Sequence, residues 1–191
     1  MGRTRLENFT DGILAVAMTL MVFEIAAPVG AGYGDLWALR YKFVIYGLIF
    51  FTLAIYWRNH HHIFSGGRQI NTSVMRINIL LLFVLTLFPF ITAWVGLGSN
   101  VYEFVPQMTF GIVLLVANLV FIWLDRAVAK ANSAEPIFSN RRIALALIVN
   151  LIALGACFFF PPSVLVGRFI ELFIWSVPPR KHRIKDEAQP E

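Results

Sequence analysis

Arg5-Leu6-Glu7-Asn8-Phe9-Thr10-Asp11 is a short ionic cluster that runs directly into an apolar stretch, residues 12–27. This stretch holds a single hydroxyl, Thr19, and a single acid, Glu24. A helix built from it is long enough to cross the hydrocarbon core of a bilayer. Because ionisable groups inside a membrane are costly and usually mark function, Arg5 and Asp11 are the first candidate functional residues.

Similar apolar stretches recur along the whole chain of 191 residues, which is 58% hydrophobic with a mean hydropathy of +0.70. Soluble domains are only about 45–50% apolar. The composition therefore predicts an all-α, polytopic membrane protein. Its six predicted transmembrane helices are residues 9–27, 37–57, 77–95, 104–124, 143–160 and a shorter 164–177.

The connections between these stretches are short and rich in glycine and proline, which break helices. They leave no room for a soluble domain, so we predict one transmembrane domain over residues 1–178. Residues 179–191 are predicted to be a charged, disordered tail. Pro89 lies inside the third stretch and is predicted to kink it. The first stretch has no small-residue cleavage site, so it is not predicted to be a signal peptide.

The distribution of positive charge predicts the orientation in the membrane. All of the 16 lysines and arginines except Arg40, Lys42 and Arg168 fall on one side of the predicted helices. By the positive-inside rule both termini are cytoplasmic, in a protein of the inner cell membrane. The net charge of +5 is thereby explained without a nucleic-acid partner. Cys157 is the only cysteine, so an intrachain disulfide is excluded.

Two charges lie inside the last predicted helix. Arg168 and Glu171 are three residues apart, close enough to pair on one helix face. Since charges within a membrane usually pair, we expect a self-neutralised pair that faces the bundle or the interface. A role in transport is the alternative.

A family resemblance rests on the opening motif. Arg5-x-x-x-Phe9-Thr10-Asp11 resembles the Arg-x-x-x-Phe-Ser-Asp signature of the transmembrane protein 175 family, which comprises endosomal and lysosomal potassium channels and their bacterial relatives. Thr10 keeps the hydroxyl of the usual serine. Residues 12–25 are similar to the rest of that family's first helix. The ending Tyr56-Trp57-x-Asn59-His60-His61-x-x-Phe64 resembles the end of its second helix.

The resemblance implies a homotetrameric, potassium-selective channel whose central pore is lined by the first helix of each subunit. Its partners are then other copies of the chain, the bilayer and permeant monovalent cations, with no cofactor besides K⁺ in transit. The family lacks the Thr-Val-Gly-Tyr-Gly filter, and no such segment occurs in this chain. Side chains of the first helix would therefore have to set the selectivity.

One apolar stripe of the first helix is the candidate pore surface. At about 100° per residue, several residues fall within about 60° of Val16: Gly12, Thr19, Leu20, Phe23 and Ala27. Periodicity alone is typical of packing or lipid contact. The resemblance instead places this stripe on the pore axis, where apolar rings can gate by dewetting and Thr19 hydroxyls hold K⁺ transiently. Asp11 lies about 140° from Val16 and is predicted to face its own subunit.

The opposite face is predicted to build a structural polar network at the cytoplasmic end, which fixes the angle of the pore helix. We expect a His or Arg to neutralise Asp11, because a buried charge needs a partner. Direct ion binding is the alternative. The predicted members are Arg5, Phe9, Thr10, Asp11, Trp57, His60, His61 and Asn78.

The run His60-His61-His62 is not predicted to bind a metal, because neighbouring side chains on a helix diverge by about 100°. Hydrogen bonding at the helix end is the simplest role, with a proton-sensitive role as the alternative. The rival function is a proton- or cation-coupled carrier that uses Asp11 and His60–His62. A scaffold without transport is a further alternative. No catalytic motif occurs, so an enzyme is not predicted.

Overall fold

The regular structure of the chain is helical. The computed structural model describes residues 2–65, 69–98 and 100–178, so the predicted tail over 179–191 lies outside the described residues. In the described part, the all-α prediction is confirmed. The helices are α1 (Arg3–Phe23), α2 (Tyr33–Ala38), α3 (Arg40–Ser65), α4 (Thr72–Leu85), α5 (Phe88–Val95), a 3₁₀ turn (Asn100–Tyr102), α6 (Phe104–Ala131), α7 (Asn140–Ala156) and α8 (Ser163–Ser176).

Three helical stretches are long and apolar enough to cross a membrane, as judged by length and composition: Arg3–Phe23, Thr72–Val95 and Phe104–Ala131. The other helices that correspond to predicted spans are α3, α7 and α8. Helix α3 has charged residues near both ends, and α7 and α8 have only 17 and 14 residues. The six-span count therefore remains a prediction.

The break predicted at Pro89 is found. The stretch Thr72–Val95 is divided into α4 and α5 at residues 86–87, and Pro89 lies in the first turn of α5. Proline is tolerated there because the first N–H groups of a helix have no partner within the helix.

The first helix is shifted toward the N-terminus relative to the predicted stretch. It begins at Arg3 instead of Phe9 and ends at Phe23, so the assignment of Ala27 to the helical stripe is wrong. Pro28 disfavours the helical conformation at the residue before it, and the glycines that follow do not extend a helix. The stripe therefore ends at Phe23, and the ionic cluster is part of the helix itself.

Helices α1 and α8 both pack against α3. Helix α1 packs against α3, α4 and α5, and α8 packs against α7, α3 and α6. The buried side of α1 consists of Leu6, Thr10, Leu14, Ala17 and Met21. These residues recur every three or four positions, so they form one face of the helix. Helix α3 thus contacts both α1 and α8.

Candidate functional site: the first helix and its polar contacts

A second face of α1 is left uncovered by the subunit. The side chains of Val16, Leu20 and Phe23 are 56%, 48% and 79% exposed, and Thr19 and Gly12 are exposed with them. A contiguous exposed apolar surface usually marks a contact with lipid or with another protein chain. This apolar stripe is therefore available to other copies of the chain or to the bilayer.

Thr19 places a hydroxyl oxygen on this stripe in a defined orientation. Its Oγ1 donates to the backbone carbonyls of Ala15 at 3.0 Å and Val16 at 2.9 Å. A hydroxyl has one proton and two lone pairs, so the proton is shared by these carbonyls and the lone pairs remain available. The oxygen can accept an external donor or contact a cation.

On the buried face of α1, nearer its N-terminus, a chain of hydrogen bonds connects three helices. The Asn78 amide on α4 donates to Thr10 Oγ1 on α1 at 3.0 Å. The His60 ring on α3 lies 2.8 Å from Asn78 Oδ1, measured from Nε2. With Asn78 Oδ1 as the acceptor, Nε2 of His60 carries the proton. All three side chains are buried, so this Thr10–Asn78–His60 chain fixes α1 against α3 and α4.

Asp11 has a different partner from the one the sequence predicts. The Trp57 indole donates from Nε1 to Asp11 Oδ1 at 2.9 Å, and both residues are exposed on the single subunit. The expected partner was a His or Arg. Two candidate partners on α3 are engaged elsewhere, since His60 bonds to Asn78 and Arg58 reaches the end of α8. Asp11 is therefore paired with a neutral donor within the described residues.

The remaining predicted network residues join neither group. Arg5 is exposed and Phe9 is 52% exposed. His61 Nδ1 lies 4.0 Å from Glu7 Oε1, and Glu7 is bound by Arg3 at 3.1 Å. The predicted network is thus divided into the buried Thr10–Asn78–His60 chain, the exposed Asp11–Trp57 pair, and three residues outside both.

The histidines do not gather around a common ligand. His60 bonds to Asn78, whereas the rings of His61 and His62 are 6.3 Å apart and tilted by 59°. Among the described residues there is no group of three or more His, Cys, Asp or Glu arranged to hold a metal.

A second buried polar group lies between α3, α6 and α8. Arg168 Nη1 contacts Glu171 Oε2 at 2.6 Å, so the predicted ion pair is confirmed, and both side chains are 1% exposed. Arg168 Nε donates to Thr52 Oγ1 at 2.9 Å. Asn118 donates to Glu171 at 3.3 Å and accepts from the Tyr56 hydroxyl at 2.6 Å. We call these five residues the α8 ion-pair cluster.

The sequence reveals the two charges of this cluster but not its three neutral members. Thr52 and Tyr56 are four residues apart in one apolar stretch, which places them on the same helix face. Asn118 is a polar residue in the middle of an apolar helix. These signals point to buried polar positions, but they do not reveal which helices meet there.

The fold and this site define an all-helical membrane protein, whose first helix has an exposed apolar stripe and a face fixed by polar contacts. A family model described as "Endosomal/lysosomal potassium channel TMEM175" matches residues 5–89, which cover most of α1 and all of α2, α3 and α4. Potassium channel HX13_20290 of Chryseobacterium sp. (strain P1-3) is 30% identical over 186 residues, which is 95% of this chain and 96% of that protein. The chain therefore belongs to the TMEM175 family.

Two further comparisons agree. Potassium channel B446_29190 of Streptomyces collinus is 31% identical over 123 residues, which is 61% of this chain and 60% of that protein. The fold is also that of the crystal structure of a lysosomal potassium-selective channel TMEM175 homolog from Chamaesiphon minutus. That structure has a TM-score of 0.76 at 22% identity and covers 91% of this chain and 96% of its own. The family is one of channels rather than enzymes, and it implies no cofactor.

Proposed function

We propose that the chain is a potassium-selective cation channel that assembles as a homotetramer around α1. Its family and the names of its relatives support potassium conduction. The observation that carries the proposal is the exposed stripe of Val16, Leu20 and Phe23 on a helix whose other face is tightly packed. Four such stripes around a common axis form stacked apolar rings. A cation would cross these rings partly dehydrated, and such constrictions gate by dewetting.

The polar contacts of α1 have a structural role in this proposal. The Thr10–Asn78–His60 chain and the Asp11–Trp57 pair set the angle of α1 relative to α3 and α4, and so the width of the rings. Arg5, Phe9 and His61 complete the cytoplasmic end, where Arg5 and Phe9 face outward from the subunit. Asp11 bonds to Trp57, whereas His60 bonds to Asn78. Because these side chains have separate partners, we do not assign the rival function of a carrier that uses Asp11 together with His60–His62.

Thr19→Val is expected to lower the preference for potassium over sodium by roughly tenfold. Valine keeps the shape of the side chain but removes the only hydroxyl on the stripe. The hydroxyl contributes to selectivity only through the difference in its contact free energy between the two ions, and a difference of about 1.4 kcal/mol corresponds to tenfold. The measurement is the reversal potential of the purified protein in planar bilayers with potassium on one side and sodium on the other.

Thr109→Val on α6 is the matched control, because the Thr109 hydroxyl likewise donates to the carbonyl four residues earlier. It should leave the reversal potential unchanged. Unaltered selectivity in Thr19→Val would remove Thr19 from the conduction path. Wild-type flux at carrier-like rates, without resolvable single-channel currents, would reject the channel function itself.

The proposed orientation has both termini on the cytoplasmic side of the inner membrane. The experiment replaces Cys157 by alanine and introduces one cysteine at Val29 or at Glu135, two exposed positions in connections. A membrane-impermeant thiol reagent added to intact cells should label Val29→Cys and should not label Glu135→Cys until the membrane is opened. The reverse pattern would invert the orientation and move the polar contacts of α1 to the outer side.

A further inference from the structure

A continuous apolar groove runs between α3 and α8, outside the proposed pore. Its first half is a cavity of about 450 Å³ between Phe43, Gly47 and Phe51 of α3 and Leu165 and Phe169 of α8. Its second half, about 460 Å³, shares Phe51 and Phe169 and ends at Arg58 and Ser176. Because the two halves share wall residues, they form one groove along both helices.

The groove has the length and surface that suit a lipid acyl chain. From Phe43 to Arg58 the helix rises roughly 22 Å, which exceeds the roughly 15 Å of hydrocarbon in one leaflet. Phe51, Phe169 and Phe173 are 62%, 56% and 64% exposed, so aromatic rings form much of its wall. Gly47 leaves open space, since a Cβ built on it meets no atom within 4 Å.

Arg58 places a positive charge at one end of this groove. Its Nη2 donates to the backbone carbonyls of Trp175 at 2.9 Å and Ser176 at 3.1 Å, which are neutral acceptors. Within the described ranges, the salt bridges involve other residues, and the third acceptor of Nη2, Asn59 Oδ1 at 3.4 Å, is also neutral. An anion at this end would therefore meet a guanidinium that no carboxylate of the described subunit neutralises.

We propose that the groove binds one acyl chain of an anionic phospholipid from the cytoplasmic leaflet, with the lipid phosphate at Arg58. Basic pockets between transmembrane helices on the cytoplasmic side are typical binding sites for anionic head groups. The charge favours a lipid over a second copy of the chain, because an apolar helix surface would fill the groove and leave Arg58 without an anion. This proposal depends on the membrane orientation proposed above, but it does not depend on α1 lining the pore.

The test uses the full-length protein in vesicles made from equal amounts of phosphatidylglycerol and phosphatidylcholine with identical acyl chains. After mild detergent extraction, native mass spectrometry counts the lipids retained per subunit. The wild-type protein should retain phosphatidylglycerol in preference to phosphatidylcholine. Arg58→Gln should lower that preference about fivefold, which corresponds to about 1 kcal/mol for one basic residue near the membrane surface. Arg58→Lys keeps the charge and should keep most of the preference.

A second pair of variants tests the apolar part of the groove. Gly47→Leu fills open space in the groove and should reduce the retention of both lipids. Gly155→Leu on α7 is the matched control, because a Cβ there also meets no atom within 4 Å, and it should leave retention unchanged. Equal retention of the two lipids by the wild-type protein would overturn the proposal. So would a change in oligomeric mass with Gly47→Leu, which would assign the groove to a contact between copies.

Discussion

Glu171→Gln is expected to lower the free energy of unfolding by about 3–5 kcal/mol, the usual cost of removing one partner of a buried ion pair. Arg168 and Glu171 are in contact at 2.6 Å and are each 1% exposed. Glutamine keeps the size of the side chain but leaves the guanidinium without its counter-charge. The Thr52 hydroxyl still accepts a hydrogen bond from Arg168, but it is neutral and does not replace the lost negative charge.

The measurement is reversible denaturation in one detergent, with Glu103→Gln as the control because Glu103 is exposed. The double variant Arg168→Met/Glu171→Gln should recover much of the lost stability, since removing both charges leaves no unpaired ion. A single variant as stable as Glu103→Gln would show that the pair is hydrated or dispensable. A double variant less stable than the single one would show that the Arg168 side chain stabilises the fold through contacts that do not depend on its pairing with Glu171.

The α8 ion-pair cluster connects α8 to α3, the helix that also binds α1. Thr52 and Tyr56 of α3 bind the cluster on one side. Trp57 and His60, further along the same helix, bind Asp11 and Asn78 on the other. Successive turns of α3 therefore contact α8 and α1, so one helix carries both sets of polar contacts.

The sequence predicts well the features that depend on a single helix. Hydrophobic runs predict the helices, Pro89 predicts the break between α4 and α5, and a spacing of three residues predicts the Arg168–Glu171 pair. The helical period also groups Val16, Leu20 and Phe23 on one stripe, and the structure leaves all three exposed. Each of these depends on backbone geometry and local spacing, which one helix fixes alone.

Features that depend on how helices meet are not predicted from the sequence. Asp11 pairs with Trp57 rather than with a cationic residue, because the packing of α1 on α3 decides which side chain is in reach. The participation of Asn118 in the α8 ion-pair cluster depends on the crossing of α6 with α3 and α8. A single polar residue in an apolar stretch indicates burial but carries no information about its partner.

Leu20→Asn is expected to raise the potassium current by roughly tenfold or more. Leu20 lies on the exposed stripe between Val16 and Phe23, and asparagine has a similar size. In the proposed tetramer, the substitution adds one amide dipole per subunit to a ring that otherwise offers an ion no polar contact. A polar contact with a charge is worth about 1.5–3 kcal/mol, and each 1.36 kcal/mol removed from a barrier raises a rate about tenfold.

Val22→Asn is the matched control, because Val22 is also exposed, at 46%, but lies about 160° from Leu20 around the helix. It should leave the current close to that of the parent protein. The measurement is the macroscopic current per tetramer in reconstituted bilayers at a fixed voltage, with the oligomeric mass checked before recording. An increase with Val22→Asn and none with Leu20→Asn would place a different face of α1 on the conduction path. An increase with neither would show that the Leu20 ring is not the main barrier to permeation, because an apolar ring cannot remain the main barrier once it is made polar.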